Sequence, residues 1–196
     1  MDFAPLRCYV SPVRTSAERT TESLTTTEGA VLALLALEGE RSGYDLMKHV
    51  SAAVAHVWRP AKSQLYAVLP RLVDRGLAAR RSVVQETRPD KQVYRISDDG
   101  RRVLAAWLED VEPGATDTFF LKLFVGSLTS HEVLVRHVEQ FRADARARLD
   151  ELLRIEPTNT RQGADAYHWF LLRLGIERNR HLVAWADELI DELRAR

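Results

Sequence analysis

The chain has 196 residues, and its 28 Lys and Arg balance its 28 Asp and Glu, so the formal net charge is zero. The hydrophobic share of 45% is ordinary for a soluble globular protein and can supply one large core or two small ones. No apolar run approaches the ~18 residues of a membrane span, and the N-terminus lacks the apolar core of a signal peptide. Cys8 is the only cysteine, which excludes an intrachain disulfide and favours a cytoplasmic location.

The charges are unevenly distributed along the chain. Between Arg59 and Arg102 there are eleven Lys or Arg and five Asp or Glu, an excess of six positive charges. Residues 111–196 carry twelve basic and fourteen acidic side chains. A basic zone on a neutral chain favours a polyanion as partner. A solvated surface of mixed charge is the alternative that the charge count leaves open.

The first part of the chain predicts a polar arm followed by two helices. Residues 1–24 are mostly polar, and we expect a mobile arm there. A helix is predicted from Thr25 to Leu37, because the Thr can cap its free amides and the leucines supply a broad apolar face. Ser42 is expected to cap the second helix, since Asp45 follows at the spacing of a capping box.

A third helix is predicted from about Ala61 to Arg75, with Gly76 as its stop signal. Its expected buried stripe consists of Leu65, Val68, Leu69 and Leu72. Pro70 should bend this helix, because proline removes a backbone donor and clashes with the preceding turn.

Residues 77–85 and 92–96 have strand character, and the turn between them carries Arg88 and Lys91. This predicts a hairpin, or wing, with two cations at its tip. Asp98 and Asp99 then suit the positive end of a fourth helix. Helices followed by a hairpin and another helix predict a winged helix-turn-helix domain over residues 25–111, which presents one helix to the DNA major groove.

Residues 112–115 (EPGA) mark a predicted domain boundary, and residues 116–196 predict only helices. The two long helices carry apolar stripes, which are Leu134, Val138, Phe141, Ala145, Leu149 and Leu152 in one, and Tyr167, Phe170, Leu174, His181, Trp185 and Leu189 in the other. We expect a homodimer, because these helices alone make a thin core; intrachain packing is the alternative. The predicted fold is therefore mainly α, with a winged helix-turn-helix domain and a C-terminal helical dimerisation domain.

Three segments carry a family resemblance: SGYDL from Ser42, SQLYAVLPRLVDRGL from Ser63, and RPDKQVYRISDDGRRVLAAWL from Arg88. In order and spacing they resemble the PadR family of bacterial transcriptional regulators. HLVAWA at His181 resembles, more loosely, the virulence-activator-type C-terminal domain of the longer PadR subgroup. The sequence departs from the family by placing Ala67 after Tyr66, where many members have proline. The resemblance, over about residues 25–194, implies a DNA-binding regulator, a dimeric repressor released by a small, sometimes aromatic, ligand.

The residue types and positions then predict an interface for double-stranded operator DNA. Gln pairs with adenine edges and Arg with guanine edges, Ser and Tyr reach bases or phosphates, and exposed cations hold the backbone. The predicted DNA-binding residues are Ser42, Tyr44, Lys62, Ser63, Gln64, Tyr66, Arg71, Arg88 and Lys91. Three of these residues have an alternative role that is purely structural: Ser42 as a helix cap, Tyr44 as a core residue, and Arg71 as a surface partner of Asp74.

The remaining chemistry is sparse. Trp107, Phe120, Phe124 and Trp169 are candidates for a pocket that binds an effector, with ordinary core as the alternative. The histidines show no ligand spacing and Cys8 stands alone, so we expect no metal site and no Cys/His pair. Phosphate-binding glycine loops and nucleophile elbows are absent, so we expect neither a cofactor nor an enzyme. A ligand-binding or protein-interaction module without DNA binding remains the alternative function; cations at the wing tip favour DNA.

Overall fold

The computed structural model of the chain describes residues 23–54, 58, 60–84, 90–156, 162–163 and 165–196. Residues 1–22 of the predicted arm, with Cys8, and the predicted wing-tip residue Arg88 lie outside these residues. Leu24, which was predicted to belong to the arm, is instead buried in the core beside α1. The fold is mainly helical with one small antiparallel sheet. Within the described residues, no helix is long and apolar enough to cross a membrane.

The first unit is a winged helix-turn-helix. Its elements are α1 (Thr26–Glu38), β1 (Arg41–Ser42), α2 (Gly43–His49), a π-helical turn (Val50–Val54), α3 (Lys62–Asp74), β2 (Ala78–Val83), β3 (Lys91–Ile96) and α4 (Asp98–Glu109). The sheet order is β1-β3-β2, with Arg41 opposite Tyr94 and Val83 opposite Lys91. The two-residue strand β1 was not predicted, because so short a segment has no periodicity and exists only through its pairing with β3.

Local capping explains where α1 and α2 begin. The Thr25 hydroxyl accepts from the Glu28 amide at 3.3 Å, and the Glu28 carboxylate accepts from the Thr25 amide at 3.0 Å. The same reciprocal pair of bonds joins Ser42 and Asp45, so the predicted capping box is confirmed. These bonds satisfy amides that have no partner inside the helix.

The predicted stripe of α3 is buried, and the helix packs against α1 and α2. All four of its residues, Leu65, Val68, Leu69 and Leu72, belong to the core of the winged unit. The helix continues through Pro70, which lies on the exposed face, where water can bind the carbonyl that loses its usual partner. Burial of the stripe therefore sets which side of α3 faces solvent.

The second unit contains α5 (Thr116–Phe124), a short 3-10 turn (Gly126–Leu128), α6 (His131–Ile155) and α7 (Asp165–Ala195). The α6 stripe packs against α7 of the same chain: Leu134, Val138 and Phe141 share a core with Ala186, Ile190 and Leu193. Nearer the other end, Leu149 packs with Leu172 and Ile176. The intrachain alternative therefore holds for the α6 stripe.

The two units meet at the C-terminal end of α4. Lys122, only 2% exposed, donates its ammonium to the Asp110 carbonyl and lies 4.7 Å from the centroid of the Trp107 ring. His137 places Nε2 at 2.7 Å from the Leu108 carbonyl oxygen. Cationic and donor side chains stabilise the negative end of a helix. Since α4 has no basic residue in its last turn, the second unit supplies these donors.

Candidate nucleic-acid interface

A groove of about 630 Å³ opens between the start of α2, the outer face of α3 and β3. Four of the predicted DNA-binding residues, Ser42, Tyr44, Tyr66 and Lys91, line it together. Their sequence separation is large, so the sheet and the packing of α3 bring them into one place. The helix and the strand of the wing thus form one surface, as a winged helix requires for binding a duplex.

The outer face of α3 carries the other predicted contacts. Lys62, Ser63, Gln64, Tyr66 and Arg71 are all exposed. Because the buried stripe occupies the opposite side, these side chains point away from the core. Gln64 also contributes to the start of the helix, since its Oε1 accepts from the Ala61 amide at 3.1 Å. Its side-chain amide nitrogen remains a donor for a base edge.

Tyr44 and Tyr66 present two phenol rings to the groove, with 70% and 48% of their surface exposed. Tyr44 is therefore not a core residue. Tyr66 lies against the start of α2, and a Cβ atom at Gly43 would be 2.8 Å from Cε1 of its ring. Real Cβ atoms essentially never show such a contact. The missing side chain at Gly43 therefore allows the observed position of the Tyr66 ring, a requirement that the sequence alone did not reveal.

Ser42 is 5% exposed, and its hydroxyl bonds are made inside the chain. It donates to Asp45 Oδ2 at 2.8 Å and accepts from the Asp45 amide at 3.2 Å. These are the bonds of a helix cap, the alternative considered for this residue.

Lys91, at the start of β3, forms an ion pair across the groove. Its ammonium lies 2.8 Å from Asp45 Oδ2, the same oxygen that accepts from Ser42. This hydrogen bond, with those from Ser42, holds the pKa of Asp45 below its ordinary value, although partial burial acts in the opposite direction. From the sequence Asp45 was expected only to cap α2, because nothing in the local pattern indicates a partner in the wing.

The fold also neutralises part of the basic zone. Ion pairs join Arg75 to Glu28, Arg81 to Glu40 and Lys91 to Asp45, and all three carboxylates precede Arg59 in the chain. Counted over residues 25–110, thirteen basic side chains meet eleven acidic ones, an excess of only two. The net positive charge of the whole winged unit is therefore smaller than the count between Arg59 and Arg102 suggests.

The four aromatic residues proposed for an effector pocket do not meet in one place. Trp107 belongs to the core of the winged unit. Phe120 lies in an aromatic cluster, 5.1 Å from Phe119 and 5.4 Å from Phe141 between ring centroids. Phe124 is partly exposed beside a different cavity, and Trp169 packs on the cluster of Leu149 and Leu172.

A small cavity instead lies between residues 111–115, α5 and α6, with room for about 10 Å³. Its walls include Phe119, Phe141, Lys122, His137 and Gln140. Burial lowers the pKa of both Lys122 and His137. Neither residue was predicted from the sequence, where the available signal was Lys122 as the one charge in the apolar segment 119–125. Among the residues that the structure describes, no group of three His, Cys, Asp or Glu could hold a metal ion.

Comparisons with known proteins match both units. Residues 31–106 match the Transcriptional regulator PadR-like family, and residues 116–194 match the Virulence activator alpha C-term family. The chain is 26% identical to the negative transcriptional regulator PadR of Bacillus subtilis over 171 residues, 82% of this chain and 93% of that protein.

Two crystal structures of Bacillus subtilis PadR are similar to this chain. The complex with operator DNA is 26% identical, covers 86% of this chain and 99% of that chain, and has a TM-score of 0.44. The complex with p-coumaric acid is 24% identical, covers 86% and 96%, and has a TM-score of 0.39. Both TM-scores are low, so the family assignment rests on the sequence matches. The chain belongs to the PadR-like family of transcriptional regulators, in the form that carries a virulence-activator alpha C-terminal domain.

Proposed function

We propose that this protein binds operator DNA as a homodimer and represses transcription, with α3 in the major groove and the wing against the flanking backbone. The observation that carries the proposal is the two-sided character of α3. One side is fully buried, and the other exposes Ser63, Gln64, Tyr66 and Arg71 beside the groove. The name of the Bacillus subtilis relative, a negative transcriptional regulator, supports repression. A regulator that binds the chromosome works in the cytoplasm, the location we propose.

In this proposal the side chains of α3 divide into two roles. Gln64 and Arg71 read base edges, because their planar groups can form paired hydrogen bonds with adenine and guanine respectively. Lys62, at the start of α3, and Arg88, on the wing by sequence, hold phosphates and carry salt-dependent affinity. Ser42 contributes by fixing α2, and Tyr44 and Tyr66 contact bases or phosphates from the groove.

The sharpest test changes Arg71 to Lys, because the charge stays and the paired geometry is lost. DNA from upstream of the protein's own gene and a scrambled duplex of equal length are the two probes. We expect operator affinity to fall by about 1–3 kcal/mol and scrambled-DNA affinity to stay unchanged. Equal binding of Arg71→Lys and the unaltered protein to the operator would exclude Arg71 from base recognition. Failure of the unaltered protein to bind either DNA would refute the proposed function.

Gln64 needs two variants, because it also bonds the Ala61 amide. Gln64→Ala removes the base contact and the cap together. Gln64→Glu keeps the oxygen acceptor at Oε1 and removes the amide donor, and its added negative charge weakens binding to both duplexes, so the ratio of operator to scrambled affinity is the quantity to compare. If Gln64 reads a base, both variants lose operator discrimination, and thermal melting separates the cap effect from the contact. Retained discrimination in both would remove Gln64 from the interface.

The proposed dimer rests on an apolar face of α7 that the chain leaves exposed. Tyr167, Phe170, Leu171 and Leu174 are 73%, 63%, 70% and 64% exposed. Contiguous apolar surface of this kind marks an interaction site, and a second copy of the same face can cover it in a two-fold symmetric dimer. This face replaces the α6 stripe as the reason for expecting a dimer, since that stripe is used within the chain.

We also propose that a small aromatic acid releases the DNA. The Bacillus subtilis relative was crystallised with p-coumaric acid. In this chain, the cavity between α5 and α6 combines aromatic rings with a buried ammonium, a combination that suits such a ligand. The cavity is much smaller than such a ligand, so binding requires residues 111–115 and α5 to move away from α6. Addition of p-coumaric acid to the operator complex should dissociate it; no effect at any soluble concentration would reject this effector.

A further inference from the structure

We propose that Asp45 limits the sequence-independent DNA affinity of this protein. It does so by holding Lys91 of the wing in an ion pair that the phosphates of random-sequence DNA do not open. Asp45 is thus a positioning residue that acts through Lys91 and lowers background binding. The inference rests on the proposed DNA-binding function.

The Asp45 carboxylate is fixed by several donors at once. Its Oδ2 lies 2.8 Å from the Lys91 ammonium and 2.8 Å from the Ser42 hydroxyl, and it accepts from the Ser42 amide at 3.3 Å. The side chains of Lys91 and Asp45 are 37% and 34% exposed. A carboxylate anchored in a helix cap loses little further freedom on pairing, so this pair avoids much of the entropy cost of a mobile surface ion pair.

The pair lies where a duplex would approach. Both residues line the groove with Tyr44 and Tyr66, next to the outer face of α3. A cation that already contacts a carboxylate is neutralised. It therefore makes no contact with phosphate, and releases no counterion from the DNA, until the pair opens. An incoming phosphate also meets the negative charge of Asp45. Both effects oppose binding that depends on phosphates alone.

Low background affinity is useful to a regulator. A chromosome offers a great excess of non-specific sites, so occupancy of the operator depends on the ratio of specific to non-specific affinity. Base contacts from α3 raise the specific affinity, whereas the Asp45–Lys91 pair lowers the non-specific affinity.

The test is Asp45→Asn, measured with a random-sequence duplex between about 50 and 200 mM salt. Asn keeps an oxygen acceptor for the two Ser42 donors and removes the charge that neutralises Lys91. We expect one additional phosphate contact, which steepens the slope of log K against log salt by about 0.9 and tightens binding about five-fold at 0.15 M salt. A merely structural role for Asp45 predicts weaker binding and no steeper slope.

Two further variants make the result specific. Glu109→Gln removes one negative charge at the end of α4, outside the groove, and its random-DNA affinity should match that of the unaltered protein. Lys91→Met should abolish the gain that Asp45→Asn produces, which a double-mutant cycle detects. An unchanged slope in Asp45→Asn with an intact thermal melt, or an equal gain in the Lys91→Met background, would overturn the inference. Absence of any DNA binding by the unaltered protein would instead overturn the proposed function itself, and the inference with it.

Discussion

Gly43→Ala should separate DNA recognition from folding. The new Cβ atom would lie 2.8 Å from Cε1 of Tyr66 and 3.2 Å from Cδ1 of Leu69. The backbone of Gly43 is not in the left-handed region, so Ala fits its conformation. The strain therefore falls on the two side chains, and the Tyr66 ring, 48% exposed, can move into solvent.

The structure sets the size of the effects of Gly43→Ala on stability and on operator affinity. To reach the ordinary contact distance of 3.4 Å from the present 2.8 Å, the ring must shift by about 0.6 Å. Ala favours a helix over Gly by at most about 1 kcal/mol, and the Leu69 contact offsets part of this gain, so the unfolding free energy should change by less than about 1 kcal/mol. If Tyr66 contacts the operator, its displacement should cost about 1–3 kcal/mol, or about five- to 150-fold in affinity.

Urea unfolding and titrations with operator and scrambled DNA measure the two effects separately. Gly100→Ala provides the contrast, because its Cβ atom would lie 2.1 Å from the Leu77 carbonyl oxygen, which cannot move aside. That variant should lose its cooperative unfolding transition. In a Tyr66→Ala background, Gly43→Ala should cost no further affinity. Unchanged operator binding by a folded Gly43→Ala variant would show that the position of Tyr66 does not matter for DNA.

Three other outcomes are expected. Phe170→Glu combined with Leu174→Glu should give a monomer by light scattering, because both side chains lie on the exposed face of α7; a monomeric unaltered protein at micromolar concentration would refute the dimer. Arg88→Ala should flatten the salt dependence by a slope of about 0.9 on operator and random DNA alike, whereas Lys91→Ala should have a smaller effect because Asp45 neutralises it; operator affinity unaffected by both changes would exclude the wing. Burial, with a smaller contribution from Lys122, lowers the pKa of His137 in the fold. The unfolded chain therefore binds more protons just below the ordinary value of 6.5, so stability should fall as pH decreases through that value. His137→Gln should reduce this dependence in unfolding measurements; an identical pH profile would contradict it.

Features that depend on neighbours within one helical turn could be predicted from the sequence. Thr25 with Glu28, and Ser42 with Asp45, are pairs spaced three residues apart, and each pair marks the start of a helix. The structure shows a capping box at both positions. The stripe of α3 was predictable for the same reason, because helical periodicity is a local property. The outer face of α3, and with it the choice of Gln64 and Arg71, follows from that stripe.

Only the tertiary structure decided which distant groups meet. The pair of Asp45 and Lys91, the donation from Lys122 to the end of α4 and the β1–β3 pairing all join residues far apart in the chain. Periodicity also failed to choose a face in α7, whose early turns are apolar on more than one side. There Leu172 and Ile176 are buried while Phe170 and Leu174 are exposed. The physical reason is that a local pattern shows which side chains prefer burial, whereas the geometry of packing decides which of them obtain a partner.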